Sequence, residues 1–115
     1  MHEMGIAMEI VDIAKASIPE DMQGSKVRKV NLQVGKLSAI VADSLRFCFD
    51  MVIKDTPLEG AELAIEELPV VARCKDCQTE WTVTEAVFTC TRCKGGNIDI
   101  LSGRELDITS IEIED

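Results

Sequence analysis

Two cysteine pairs constrain this chain more than any other feature. Cys74-Lys-Asp-Cys77 is followed, after twelve intervening residues, by Cys90-Thr-Arg-Cys93. Two C-x-x-C pairs at this spacing supply four soft thiolates that can close around one ion as a tetrahedron, the ligand set of a structural zinc site. With all four positions filled by protein there is no open position for water, which argues against catalytic zinc. Iron in a four-thiolate site is the competing metal; the ligand set does not exclude it, but no companion redox motif accompanies it, and zinc is the expectation.

The rest of the chain is long enough to fold around such a site. Its 115 residues, 46% hydrophobic and 29% charged, read as one small globular domain in which a metal staple helps without being indispensable. No apolar run approaches the roughly 20 residues of a membrane span, and the first residues lack a basic-then-apolar leader. A reducing, cytoplasmic setting is therefore expected, where paired cysteines hold metal rather than disulfides. The net charge of −9 disfavours nucleic acid, since a phosphate backbone would be repelled over most of the surface. A filled zinc site adds two further negative charges. Arg73, Lys75, Arg92 and Lys94, beside the cysteines, are expected to offset them.

Hydrophobic periodicity supplies the frame. Ile6, Ile10, Ile13 and Ile18, widened by Met4, Met8 and Val11, predict a helix over 4–18 that packs on a sheet. Val30, Leu32 and Val34 alternate with polar residues in a strand over 27–34 that Gly35 breaks. Ala42, Leu45, Phe49 and Val52 predict a second helix over 42–54, closed by Asp55-Thr-Pro57 and Gly60. Strands follow at 63–71 and 104–113. Each slips phase by a residue, at Glu66-Glu67 and at Thr109-Ser110, as a bulge or bend would require. If these two strands pair antiparallel, the cysteine segment is an inserted lobe, with short ribbon strands around Trp81-Val83 and Ile98-Ile100. The expected fold is α+β: two helices packed on a small, about three-stranded sheet, with an inserted four-cysteine zinc-ribbon lobe. The division is 1–70 plus 103–115 for the α/β domain and 71–102 for the zinc-binding domain.

Little else could carry chemistry. One histidine, no tyrosine and no phosphate-binding glycine loop leave no catalytic residues to assign, and an enzyme is not expected. Cys48, between Phe47 and Phe49, reads as a buried, inert thiol. The histidine is His2. The Met1 amine, the backbone nitrogens of His2 and Glu3, and the imidazole can form fused chelate rings with four nitrogens in one plane. That arrangement suits Ni²⁺ or Cu²⁺. Frayed-end surface histidine is the plain alternative.

The chain resembles the HypA/HybF family of hydrogenase-maturation nickel chaperones. The resemblance rests on Met1-His2-Glu3, Val34-Gly35-Lys36-Leu37-Ser38, Leu45-Arg46-Phe47, Gly60-Ala61-Glu62-Leu63, both cysteine pairs, Gly103-Arg104-Glu105-Leu106 and Ser110-Ile111-Glu112, in order along the whole length. It implies Ni(II) held as transported cargo at Met1, His2 and Glu3, and structural Zn(II) held by Cys74, Cys77, Cys90 and Cys93. The implied partners are the maturation GTPase HypB and the [NiFe]-hydrogenase large-subunit precursor, with urease accessory proteins in some organisms; neither nucleic acid nor a membrane is implied. Three positions depart from the family pattern: Lys36, where an acid is common; Val41, where an auxiliary aspartate occurs in some members, with Asp43 two residues off register; and Gln78, where glycine is frequent. The rival reading, from a different class, is a zinc-ribbon adaptor for protein or nucleic acid that carries no second metal.

Overall fold

The computed structural model describes residues 3–85 and 87–114. The elements run α1 (Glu3–Ala16), β1 (Val27–Gly35), α2 (Ala42–Val52), β2 (Glu62–Leu68), β3 (Val70–Cys74), β4 (Glu80–Val83), β5 (Ile98–Ser102) and β6 (Leu106–Ile113), with short 3-10 turns at Glu20–Met22 and Lys36–Ser38. No helix among these residues is long and apolar enough to cross a membrane. The fold is α+β with a zinc-ribbon-like lobe, as expected. Its strands form two three-stranded sheets, in the orders β2-β1-β6 and β4-β3-β5.

The chain divides into two compact units. The first comprises the stretch up to Gln33, Ile40–Glu66 and the residues from Asp107 on; the second comprises Val34–Ala39 and Glu67–Leu106. In the first unit α1 packs against α2. Glu3 in the first turn of α1 and Lys15 in its last complement the helix dipole. The helix stops where Ser17 turns its hydroxyl back to the Ile13 carbonyl at 2.8 Å, ahead of Pro19. Its buried face is Ala7, Ile10, Val11 and Ala14, whereas Ile13 and Met8 are exposed. The buried stripe is thus rotated from the one drawn through Ile6, Ile10 and Ile13. Alanines let the helix axis approach its neighbour closely, which larger side chains at those positions would prevent. In α2 the buried pair is Leu45 and Phe49, four residues apart on one face. Phe47 points away and is 67% exposed, and Cys48 is half-buried rather than buried.

The phase slip in the stretch predicted as one strand over 63–71 is where the chain leaves one sheet for the other. β2 ends at Leu68, Pro69 interrupts, and β3 begins at Val70 in the second sheet. Proline has no amide hydrogen for a ladder, so a strand break there is natural. The expected pairing of 63–71 with 104–113 does not occur: β2 and β6 flank β1 on opposite sides. What brings the ends of the cysteine segment together is β3 on β5, antiparallel, with Val71 opposite Ser102 and Cys74 opposite Ile98. On its other edge β3 pairs antiparallel with β4, Val70 opposite Val83 and Arg73 opposite Glu80. In β6 the phase change is preserved as two successive exposed residues, Thr109 and Ser110, between half-buried Ile108 and Ile111.

Within the second unit, Val34–Ala39 is tied to the residues just after β5. Gly35 N donates to the Glu105 carbonyl at 2.8 Å and Leu37 N to the Gly103 carbonyl at 2.7 Å. The approach is so close that a Cβ on Gly35 would stand 2.0 Å from the Gly103 carbonyl carbon. Only glycine fits there.

Candidate metal centre

β3 delivers Cys74 at its last position, and the chain turns at once through the first knuckle. Cys74 N donates to the Thr79 carbonyl at 2.9 Å, and Gln78 N to the Cys74 carbonyl at 2.8 Å. The second knuckle repeats this pattern: Cys90 N donates to the Gly95 carbonyl at 2.9 Å, and Lys94 N to the Cys90 carbonyl at 3.1 Å. Gln78 and Lys94, each just after the second cysteine of its pair, both adopt φ of 66°. That left-handed conformation is strain-free for glycine and costs other residues energy, so glycine is the natural occupant of Gln78's position.

The two knuckles bring all four cysteine sulfurs within 4.8 Å of one another. Cys74 Sγ lies 3.6 Å from Cys93 Sγ, and Cys77 Sγ lies 3.5 Å from Cys90 Sγ. Metal–sulfur bonds of about 2.3 Å in a tetrahedron place sulfurs roughly 3.8 Å apart, so the spacing fits a single four-thiolate ion. Cys74 and Cys90 are buried, Cys77 is half-buried and Cys93 is exposed. Backbone amides point at the sulfur: Arg92 N and Cys93 N lie 3.3 and 3.4 Å from Cys90 Sγ. Such donors stabilise thiolate.

The electrostatics of the four thiols explain why the cluster calls for a cation. The Thr79 hydroxyl, hydrogen-bonded with Cys77 Sγ at 3.3 Å, and then the Thr79 amide pull the Cys77 thiol down to about 6. The Cys93 and Arg92 amides lower Cys90, although burial opposes them. At Cys93 the Gly95 amide favours the thiolate, but the neighbouring Cys74 and Cys90 sulfurs and burial push the thiol up to about 12. Four negative sulfurs cannot share this volume without a positive ion between them. The residues present fit the metal that their spacing implied.

Sequence reasoning did not single out Thr79; a hydroxyl residue two places beyond a knuckle cysteine was its signal. The basic neighbours divide their roles differently from the expectation, since Lys75 Nζ sits 3.4 Å from Asp99 Oδ1 across the knuckle base rather than answering only the sulfurs.

Of the three terminal residues proposed for nickel, Met1 and His2 lie outside the described residues. Glu3 opens α1, is 7% exposed, and accepts a hydrogen bond from Val41 N at 3.3 Å. The Val41 backbone therefore holds the Glu3 carboxylate in place.

The family model described as "Hydrogenase/urease nickel incorporation, metallochaperone, hypA" matches residues 1–113. The chain belongs to the HypA family. The hydrogenase maturation factor HypA of Desulfatibacillum aliphaticivorans is 61% identical over 115 residues, covering all of this chain and 88% of that protein. The corresponding factor of Desulfosudis oleivorans is 59% identical over the full length of both. Among solved structures, the solution structure of the Ni metallochaperone HypA from Helicobacter pylori superposes with a TM-score of 0.69 at 22% identity, over 98% of this chain and 97% of that one. A second HypA solution structure gives 0.73 at 22% identity, over 99% and 97%. At that identity the structural likeness speaks to the fold. As a HypA-family member, the chain belongs to the nickel-incorporation metallochaperones and carries a four-cysteine metal site.

Proposed function

We propose that this protein carries Ni(II) as cargo at its amino terminus and delivers it during maturation of a [NiFe]-hydrogenase, with urease as a further client. The observation that carries the reading is the family match from residue 1 to residue 113, which takes in Met1-His2-Glu3 together with both cysteine pairs. The chelate chemistry supports it. The Met1 amine, the backbone nitrogens of His2 and Glu3, and the His2 imidazole offer fused rings of a kind that tetragonal Ni²⁺ favours. Binding displaces protons from the amine and peptide nitrogens, so it weakens as pH falls. A planar chelate leaves open faces for an incoming ligand to attack, which suits release to a partner. The burial of Glu3 and its hydrogen bond from Val41 give the third residue of that segment a fixed place at the start of α1.

Zn(II), in this reading, is held by Cys74, Cys77, Cys90 and Cys93 and contributes folding energy rather than chemistry. Residues 1–70 with 103–115 carry the cargo, and 71–102 form the zinc-binding domain. The partners are the maturation GTPase HypB and the hydrogenase large-subunit precursor, in the cytoplasm; urease accessory proteins would serve the second client. The test is to block the terminal amine. Nickel titration of acetylated or amino-terminally tagged protein should show loss of high-affinity binding relative to protein with a native Met1. Equal affinity in the blocked form would sink the terminal site.

A further inference from the structure

The second unit holds an open groove of about 580 Å³ lined by Leu37, Phe88, Gly96, Ile98, Ile100 and Arg104. Ile98 and Ile100 lie on one face of β5, and Leu37 is anchored beside Arg104 by its amide bond to the Gly103 carbonyl. Four of the six residues are large and apolar, and Leu37 and Phe88 remain 39% and 38% exposed. One cation, Arg104, completes the wall. Among the described residues its side chain makes no hydrogen bond or ion pair, although acids outnumber bases in the chain by 21 to 12. The nearest acid in sequence, Glu105, turns its carboxylate to Gly103 N at 2.7 Å.

An unpaired guanidinium set among aliphatic and aromatic side chains asks for one carboxylate accompanied by apolar surface. A polyanion would need several cations along the groove, and its wall offers one. A small ligand would need a concavity that closes over most of its surface, and these walls leave Leu37 and Phe88 open to solvent. Gly96, with no Cβ and nothing within 4 Å of where one would be, leaves room for a backbone to pass.

We infer that this groove docks an extended segment of a partner protein, in which aliphatic side chains lie on Leu37, Phe88, Ile98 and Ile100 and one acidic side chain pairs with Arg104. The contact needs no nickel and uses none of the residues proposed for the cargo. The cost of losing Arg104 is that of a charge-assisted hydrogen bond, about tenfold or more in affinity.

The experiment uses the full, zinc-loaded chain without nickel, followed by amide NMR during titration with the peptide acetyl-Ser-Leu-Glu-Val-Leu-Ser-amide. Saturable shifts should centre on Phe88, Ile98 and Ile100. Replacing the peptide's Glu by Gln, or Arg104→Gln in the protein, should each weaken binding about tenfold, and Phe88→Ala should weaken it as well. The peptide arm requires no protein variant, so a folding defect cannot imitate the result. The inference is overturned if shifts do not saturate at millimolar peptide, if they centre elsewhere, if the Gln peptide binds equally, or if hexanoate alone binds as well as the peptide.

Discussion

Gly35→Ala tests the packing of the second unit with a single methyl group. Built on the observed backbone, the new Cβ falls 2.0 Å from the Gly103 carbonyl carbon, 2.1 Å from its oxygen and 2.6 Å from Arg104 N. Carbon pairs rest at 3.5–4.0 Å, so the two segments must part by about 1.5 Å. All three obstructing atoms are backbone, so no side chain can swing aside. Parting them breaks the bonds from Gly35 N to Glu105 and from Leu37 N to Gly103, at 2.8 and 2.7 Å. Two buried backbone bonds lost at about 1–3 kcal/mol each, with strain added, give a cost of roughly 3–5 kcal/mol. Urea unfolding of zinc-loaded protein should show a midpoint lowered by roughly 2 M or more. Gly5→Ala is the control with the opposite sign. It lies on the exposed side of α1, nothing stands within 4 Å of its added methyl, and removing a helical glycine should stabilise by about 0.5–1 kcal/mol. A Gly35→Ala protein within about 1 kcal/mol of the parent would refute the close-approach reasoning.

Other consequences are as direct. Phe49→Ala empties a position that is 0% exposed and should cost about 3–5 kcal/mol, whereas Phe47→Ala, at 67% exposure, should change unfolding by less than about 0.5 kcal/mol. Lys94→Gly relieves a left-handed φ of 66° and should raise the unfolding temperature with zinc content unchanged; a lowered temperature would contradict the strain. In zinc-free protein, the Cys77 thiol held down to about 6 by Thr79 is mostly thiolate at pH 7. Because its folded value lies below the ordinary 9.0, this stabilisation is complete above 9.0 and is lost as pH falls through about 6. Thr79→Val raises that thiol, so iodoacetamide should alkylate Cys77 more slowly at pH 7, and an unchanged rate would remove the hydroxyl from the account.

What could be read from the residues, and what could not, divides along local and non-local lines. The cysteine cluster was legible because C-x-x-C spacing dictates a knuckle whatever surrounds it, and the structure gathers those four sulfurs. Both helices and the first strand were legible because their periods of 3.6 and 2 lie within short windows. The face of α1 was misdrawn because Ile13 and Met8 outweigh Ala7 and Ala14 on a hydrophobic scale, while close packing of the buried face favours the small residues. The slip at Glu66-Glu67 was visible as a break in phase. Its meaning, a change of sheet at Pro69, was not, because which strand pairs with which is decided by partners far away in sequence. Gly35 read as the end of a strand; its contact with Gly103, 68 positions on, carries no local signal.

The central claim is that cargo and staple are different metals on different residues. Elemental analysis combined with nickel titration of His2→Ala, made with a native and untagged Met1, separates them. The account predicts that high-affinity nickel binding is lost while one zinc per chain remains at the four cysteines. Nickel affinity equal to that of the parent, or loss of zinc with the nickel, would contradict it.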